Sequence, residues 1–483
     1  MKAAAAADDR VLWLIAAATT IIVFALHYAI LIGHFAQGGE LLDAGWFAHL
    51  IGSGDPWLHG PTTVDAQSYY NVHVSPWLSA VTVAVHALGL DRFTGFAFHQ
   101  ALTFSVFAAS LFAIVLRSQS PARRWLFSGS VVLALASDLV LEIAGFPHFE
   151  MATLAFCTLG VALAQRGKTL AALVAFGVAT LVREDGGLFA LLFLVLLRVM
   201  RGDGWKEWRA ILGSWELRAA AVFGVTAVAM FWIKSAYFLG YPTFSANFSG
   251  NNWDHVTPTL VMNRVVYLLT TPRPFFTVAV TLALAFYSWR YLVTPVLISP
   301  LITAHVLAVR DDLAKFPLYY VMILLVIWVG HFIVTARRAE EGKLRKSEAI
   351  ILLAATIAVS MPVFLAVRSI PQMRTIANYE PFTVDALVGL GVDPNELAQK
   401  TLEATRGLPG VCVSNGVAAL LPDDFSPEQV FRGSRQIDGN CVNTFRFIGP
   451  GEEHFALLPG QQIDPIGEIL GRVAHERRIS AGQ

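Results

Sequence analysis

Four short segments of this chain carry acids, histidines and an arginine in otherwise apolar surroundings: residues 42–49, 69–77, 146–150 and 183–186. The chain has 483 residues, of which 55% are apolar and only 14% are charged. A charged side chain near the centre of a bilayer costs roughly 2.5–3.5 kcal/mol on insertion scales. The ionisable groups that such a chain keeps are therefore candidates for proton transfer or for binding a polar substrate.

Asp43 is the candidate general base. It directly precedes Ala44-Gly45-Trp46-Phe47, an apolar stretch that predicts a short helix at the membrane interface. A carboxylate in apolar surroundings is a stronger proton acceptor than one in water. The same position also suits a helix N-cap, because Asp caps the first turn of many helices. The sequence alone leaves both interpretations open.

Two histidines and an acid are further candidates for a functional site. His73 lies just before Ser75 and Pro76, which predict the N-cap and first turn of a helix. His148 and Glu150 lie at a hairpin between two apolar runs, and Glu150 falls about one turn into the second run. A lone histidine is more often structural than functional, so His73 is weighed against a packing role.

Arg183, Glu184 and Asp185 lie between the apolar runs 169–182 and 186–200. Each run spans only about 22 Å as a helix, which is shorter than the hydrocarbon core. The turn is therefore predicted to lie below the membrane surface, where charged turns occur only inside protein or beside a wet cavity. It is either a functional site or a salt-bridge cluster that joins helices.

The remaining candidates are weaker. Arg310 and Lys315 are external cations that could hold a phosphate, with ordinary lipid anchoring as the alternative. The mixture of Asp, Glu and His leaves a divalent cation open as a cofactor.

The sequence contains no Walker loop, G-x-S-x-G elbow, H-E-x-x-H or C-x-x-C motif. A formal net charge of zero argues against nucleic-acid binding, and three cysteines exclude a disulfide-framed scaffold.

The apolar runs predict an all-α polytopic membrane protein with about eleven transmembrane helices. They lie at 11–34, 93–116, 125–144, 147–165, 169–182, 186–200, 219–239, 272–289, 291–309, 316–336 and 349–367. With the N-terminus inside, the loops on that side carry about three times as many Lys and Arg residues as the opposite loops, which fits the positive-inside rule. The first run is interpreted as a retained helix, and residues 74–90 as a helix along the outer surface.

This topology divides the chain into a transmembrane domain, 1–369, and an external C-terminal domain, 370–483. The first external loop, 35–92, is long, and long loops in compact proteins are usually functional. In the tail, the segments 411–416 and 442–448 predict strands of a small α/β domain. Cys412 and Cys441 both fall in it, on the oxidising side of a bacterial inner membrane. A disulfide between them and two buried free thiols both fit the sequence.

The order of these motifs resembles a family of bacterial polytopic membrane proteins known as domain of unknown function 2079. The matching segments are 43–47, 73–76, 99–102, 147–150, 181–186, 408–414 and 420–422. The chain departs from that family in three places. The family usually has a second acid shortly after the equivalent of Asp43, and here His49 occupies that region. The family's Asp-Phe-His-Pro-Glu motif is rearranged to Phe-Pro-His-Phe-Glu at 146–150, and its Lys-Glu-Asp motif has Arg183 in place of Lys. The first departure weakens the case for a two-carboxylate metal site.

That family is similar in layout to the GT-C superfamily of membrane glycosyltransferases. The resemblance implies transfer of a sugar from a polyprenyl-phosphate donor to a periplasmic glycan or lipid acceptor, at the outer face of the bacterial inner membrane. It implies Asp43 as the general base and Arg183, helped by Arg310 or Lys315, as the group that holds the departing phosphate. His73, His148 and Glu150 would orient hydroxyls, and Glu184 and Asp185 would support Arg183.

Two other functions are compatible with the sequence. A flippase or transporter for lipid-linked sugars would use Glu150 or Asp138 as a proton relay, and it would need matched repeats or discontinuous helices. A non-enzymatic scaffold would bind a periplasmic partner through its tail, so that mutations in the tail rather than in the first loop would impair it. No internal repeat at 20–50 residues is evident in the sequence.

Overall fold

The computed structural model describes residues 2–36, 44–59, 68–116, 121–145, 148–201, 213–238, 248–250, 252–309, 313, 321–366, 411–414, 429–431 and 443–445. Asp43, Arg310, Lys315 and Cys441 lie outside these residues. The described chain is mostly helical.

The first nine helices are α1 (Lys2–Ala36), α2 (Ala44–Gly52), α3 (Pro76–Ala87), α4 (Arg92–Val115), α5 (Pro121–Leu135), α6 (Asp138–Gly145), α7 (Met151–Gln165), α8 (Thr169–Val182) and α9 (Gly186–Met200). The next six are α10 (Trp215–Tyr237), α11 (Pro258–Thr270), α12 (Pro272–Ala285), α13 (Val293–Val306), α14 (Met322–Glu340) and α15 (Lys346–Ala366). Short 3-10 turns cover Tyr69–Asn71 and Trp289–Leu292.

Polar residues cap the starts of several helices. The Ser75 hydroxyl accepts the backbone N–H of Leu78, with Pro76 in the first turn of α3, which confirms the predicted cap. Asp91 caps α4 by accepting two backbone N–H groups. Ser214 and Thr257 cap α10 and α11 in the same way. These side chains satisfy amide groups that the first helical turn leaves without a partner.

Four described helices are long and apolar enough to cross a membrane: Arg10–Ile32 of α1, α4, α10 and α14. A fifth candidate is the pair α11 and α12, whose axes bend by 77°. The expectation of about eleven spans is therefore met only in part. Other apolar runs form shorter helices, such as the 14 residues of α8. The run at 125–144 is divided between α5 and α6.

Two apolar cores hold the helices together. The larger one includes α14, whose residues are almost all buried. The smaller one joins α2, the Tyr69–Asn71 turn, α3 and the start of α4 to Phe149 and Val182. The first loop is thereby packed onto the helix bundle at one end, and this is where the ionisable residues gather.

Three short strands form a parallel sheet in the order β2-β1-β3, with β1 at Val411–Ser414, β2 at Gln429–Phe431 and β3 at Asn443–Phe445. Strands β1 and β3 lie where the sequence predicts strands, and β2 was not predicted. Cys412 of β1 is opposite Gln429 and Thr444. The proposed pairing of Cys412 with Cys441 stays a prediction, because Cys441 lies outside the described residues.

Candidate functional site

Three separate segments bring their ionisable side chains together. They are the segment before α3, the hairpin before α7 and the turn between α8 and α9. Of the nine candidate residues from the sequence, six meet here: His73, His148, Glu150, Arg183, Glu184 and Asp185. The side chains of these residues are mostly buried, so their charges must compensate one another.

Glu150 is the most deeply buried acid of the cluster, with 3% of its surface exposed. Its Oε1 accepts a hydrogen bond from Arg183 Nη1 at 2.5 Å. Its Oε2 pairs with His148 Nδ1. Both carboxylate oxygens therefore have a partner, as burial of a charged group requires. The side chain predicted to enter the membrane is placed inside protein rather than against lipid.

Arg183 joins Glu150 to Asp185. Its Nε donates to Asp185 Oδ1 at 2.8 Å and its Nη2 donates to Oδ2 at 2.5 Å, which is the two-pronged geometry that suits a guanidinium. Burial alone would raise the pKa of Asp185, but the Arg183 cation and its hydrogen bonds hold that pKa below its ordinary value. One guanidinium thus holds two carboxyl groups.

His73 and Glu184 form a second pair. His73 Nδ1 lies 2.7 Å from Glu184 Oε1, and the backbone N–H of Val74 donates to Oε2 at 3.1 Å. The Ser75 hydroxyl donates to the carbonyl of Val182 at 2.6 Å. Because an ionised carboxylate only accepts hydrogen bonds, it favours a proton on Nδ1 and leaves Nε2 as the basic nitrogen. Within the described residues, Nε2 has no hydrogen-bond partner.

The cluster lies well below the end of the helix bundle. Gln100 Nε2 donates to the backbone carbonyl of His148 at 3.2 Å. Gln100 comes eight residues after Arg92, the first residue of α4, which corresponds to about 12 Å along the helix. The hairpin and the turn therefore do not sit at the helix ends, in agreement with the depth that the short runs predict.

Aromatic rings surround the charged groups. The Phe47 ring lies 4.7 Å from the His148 ring, edge to face, and 5.3 Å from Phe149. The Tyr69 ring lies 5.9 Å from the His73 ring. Trp46, Phe47, Tyr69 and Phe149 are each at most 2% exposed. This wall keeps water away from one side of the cluster and thereby strengthens the electrostatic interactions inside it.

Asp43 immediately precedes α2, and α2 contributes Phe47 to this wall. The neighbours of Asp43 in the chain therefore pack against His148. The position of Asp43 itself lies outside the described residues, as do those of Arg310 and Lys315. Whether Asp43 caps α2 or acts as a base stays a prediction.

Two further basic residues interact electrostatically with the charges of the cluster. The Glu184 carboxylate interacts electrostatically with Lys234, near the end of α10. The charges of Arg183 and Asp185 act on His305, near the end of α13. Neither Lys234 nor His305 is among the site residues selected from the sequence. Both lie in apolar runs far along the chain, and only the packing of the helices brings them to this end.

A metal centre finds no support in the described part of the chain. There, no three His, Cys, Asp or Glu side chains are arranged to hold a metal ion. No residue is therefore assigned to a divalent cation.

Comparison with known proteins finds no family model that matches the chain, no similar curated protein and no similar solved structure. The chemistry of the site is therefore argued from its geometry.

Proposed function

We propose that this protein is a GT-C-like membrane glycosyltransferase that moves a sugar from a polyprenyl-phosphate donor to a periplasmic acceptor. The observation that supports the proposal is the convergence of the first loop, the His148–Glu150 hairpin and the Arg183–Asp185 turn on one buried polar cluster. GT-C-like enzymes, which the sequence resembles in layout, place an acid at the start of such a loop. The equivalent residue here is Asp43, one residue before α2.

In the proposed reaction the acceptor hydroxyl attacks the anomeric carbon of the sugar. Asp43 takes the hydroxyl proton, a general-base role that contributes about 10²–10⁴ in rate. The bond between the anomeric carbon and the phosphate oxygen breaks, and its electron pair leaves with the polyprenyl phosphate. His73 Nε2 accepts a hydrogen bond from a substrate hydroxyl, while Glu184 fixes the imidazole by holding Nδ1. His148 and Glu150 would orient further substrate hydroxyls, as the resemblance implies.

Arg183 is the cation that the resemblance assigns to the leaving phosphate. Its guanidinium already holds Glu150 and Asp185, so a phosphate would have to compete with one of these carboxylates. Asp185 is the competitor that a phosphate can reach more easily, because 15% of its side chain is exposed against 3% for Glu150. We infer that the donor phosphate displaces Asp185 while Glu150 keeps Arg183 in place. Arg310 and Lys315 would assist from the external loop.

The finer architecture belongs to the same proposal. It comprises about eleven spans in a bacterial inner membrane, a cytoplasmic N-terminus and a periplasmic α/β domain over residues 370–483. The four or five apolar helices of the described residues fit a mostly helical, multi-pass membrane protein, whereas the further spans and the α/β domain are inferred from the sequence pattern.

The test is donor turnover in nanodiscs. Purified protein is incubated with radiolabelled decaprenyl- or undecaprenyl-phosphate monosaccharides, and release of free sugar or of polyprenyl phosphate is measured. We expect turnover with at least one donor and its loss in Asp43→Asn. Asp55→Asn is the matched control, because Asp55 lies in the same loop but binds only its own turn.

Each outcome is decisive. Turnover that survives Asp43→Asn overturns the assignment of the base. Tight binding without turnover, unaffected by Asp43→Asn, overturns the transferase and favours the flippase. An absence of binding across the whole panel, in protein that melts cooperatively, overturns the donor class.

A further inference from the structure

Helix α11 (Pro258–Thr270) presents a continuous apolar stripe that the protein does not cover. The stripe consists of five aliphatic side chains whose exposed fractions range from 38% to 63%: Val261, Met262, Val265, Val266 and Leu269. At 100° per residue these positions fall on one face of a helix. No residue of α11 is buried.

A sharp corner separates α11 from the next helix. The axes of α11 and α12 differ by 77°. The corner is built into the sequence, because Pro272 disfavours helical geometry at the residue before it. Thr271 is accordingly extended, with φ −87° and ψ 127°. The two helices together have the length and apolarity of one span, but they cannot cross a bilayer as one straight rod.

The exposed apolar surface continues around the corner. On α12, Phe275, Phe276, Val278 and Leu282 are between 43% and 56% exposed. Helix α12 is thus a segment with lipid-facing character whose outer surface joins the stripe of α11. This continuity points to one apolar medium covering both helices rather than to a separate protein partner on α11.

The segment before α11 ties its start to the end of α13. The ring of His255 contacts the carbonyl of Leu307 through Nε2 at 2.8 Å, and the N–H of Val309 donates to the carbonyl of Phe248 at 3.0 Å. His305, two residues before Leu307, interacts electrostatically with Arg183 and Asp185. Helix α11 therefore begins at the same end of the bundle as the ionisable cluster.

We propose that α11 lies in the plane of the membrane interface, with its stripe immersed in the acyl chains of one leaflet. If α12 follows the membrane normal, the 77° corner leaves α11 almost parallel to the bilayer surface. A helix with one wide apolar face and a polar opposite face is stable in this position, because the apolar face sinks about 5–10 Å into the boundary of headgroups and chains. Lipid adjoining the ionisable cluster would then be held along α11.

Depth measurements test this placement. Met262→Cys and Leu269→Cys report on the two ends of the stripe, and Tyr267→Cys reports on the opposite face of the helix. Val225→Cys provides a calibration site in the middle of α10, where Val225 is 68% exposed. Each variant is labelled with an environment-sensitive fluorophore in nanodiscs. Lipids that carry a nitroxide near the headgroup or deep in the chain serve as quenchers, and the unsubstituted protein gives the background from native cysteines.

We expect the shallow nitroxide to quench both stripe sites equally and more strongly than the deep one, with the opposite result at Val225→Cys and weak quenching at Tyr267→Cys. If α11 instead crosses the membrane, the two stripe sites differ in depth by about 10 Å, since they lie seven residues apart. That result overturns the proposal. Quenching at neither stripe site also overturns it, because it places the stripe against water or protein. A variant that loses cooperative melting is replaced by Val265→Cys on the same face.

Discussion

The carboxylate of Glu184 lies 2.7 Å from Nδ1 of His73, although the two residues are 111 positions apart in the chain. The same carboxylate accepts the backbone N–H of Val74. The pair thus fastens the first loop to the turn between α8 and α9 and fixes which ring nitrogen of His73 is basic. A loop held this firmly can present a catalytic group without reorganising during the reaction.

Replacing either member of this pair should impair turnover. In Glu184→Gln the neutral amide no longer fixes the proton on Nδ1, and in His73→Asn the basic nitrogen is lost. We expect kcat to fall by roughly 10–100-fold in each variant, as is typical for loss of an orienting partner. If the residues act as a unit, the double variant is no slower than the worse single variant.

His86→Asn is the matched control, because His86 is an exposed histidine on α3. Losses that multiply in the double variant would show that His73 and Glu184 act independently. A purely structural role for the pair would lower the melting temperature of both variants while leaving kcat unchanged.

Removing the Arg183 side chain should destabilise the protein. In Arg183→Gln, the buried Glu150 loses the cation that compensates its charge. Breaking a buried ion pair from one side costs about 3–5 kcal/mol. We expect a marked fall in melting temperature in nanodiscs. Lys343→Gln removes an exposed ion pair with Glu341 and should change the melting temperature little. Similar melting temperatures for the two variants would contradict the role of Arg183 in the fold.

The sequence locates the cluster better than it identifies its contacts. Low charge content and short apolar runs are enough to single out Glu150 and the Arg183–Asp185 turn, because a charge in the membrane needs a compensating environment. The pairing of Arg183 with Glu150, and of Glu184 with His73, does not follow from hydropathy, since hydropathy gives the depth of a residue but not its neighbours. The resemblance implied that Glu184 supports Arg183, whereas in the structure the Glu184 carboxylate pairs with His73.

The number of helices long enough to span was overestimated for a related reason. An apolar run reports burial, and α7 and α9, with 15 residues each, show that a buried apolar helix can be shorter than a membrane span. The run at 125–144 contains a break at Ala136 and Ser137 between α5 and α6. The break is followed directly by Asp138, and the Ser137 hydroxyl accepts the N–H of Val140, a helix-start pattern that a count of apolar residues ignores. Counting apolar residues therefore does not fix where a helix begins and ends.

The affinity for a polyprenyl phosphate should increase in Asp185→Asn. This substitution removes the carboxylate that occupies two N–H groups of Arg183, while Glu150 still holds the guanidinium. One charge-assisted hydrogen bond contributes about 1.5–3 kcal/mol, so the gain should be about tenfold or more. Binding of radiolabelled undecaprenyl phosphate measures it, with Asp254→Asn, an exposed acid, as the control. A weaker affinity in Asp185→Asn would mean that Asp185 orients Arg183 for the phosphate instead of competing with it.

Acid should destabilise the protein partly through His49 of α2. Burial, and to a smaller extent the Arg92 cation, lower the pKa of His49 to about 4. In the unfolded chain His49 binds a proton below about pH 6.5, whereas in the fold it stays neutral. Its contribution to stability is therefore complete above about pH 6.5 and is lost as the pH falls towards 4. His49→Phe should lose less in melting temperature between about pH 7.5 and 5. An equal loss in both proteins would contradict the assignment.

The turn that carries Arg183 should tolerate no side chain at Gly186. A Cβ atom there would lie 2.2 Å from the backbone carbonyl oxygen of Ala179, a distance that only a shift of the backbone can relieve. Such a shift moves Arg183 and Glu184 away from their partners. We expect Gly186→Ala to lower both the melting temperature and donor turnover. Gly129→Ala is the matched control, since a Cβ at Gly129 in α5 meets nothing within 4 Å. Alanine there should stabilise the helix by roughly 0.5–1 kcal/mol. Wild-type turnover in Gly186→Ala would show that catalysis does not depend on this position of the turn.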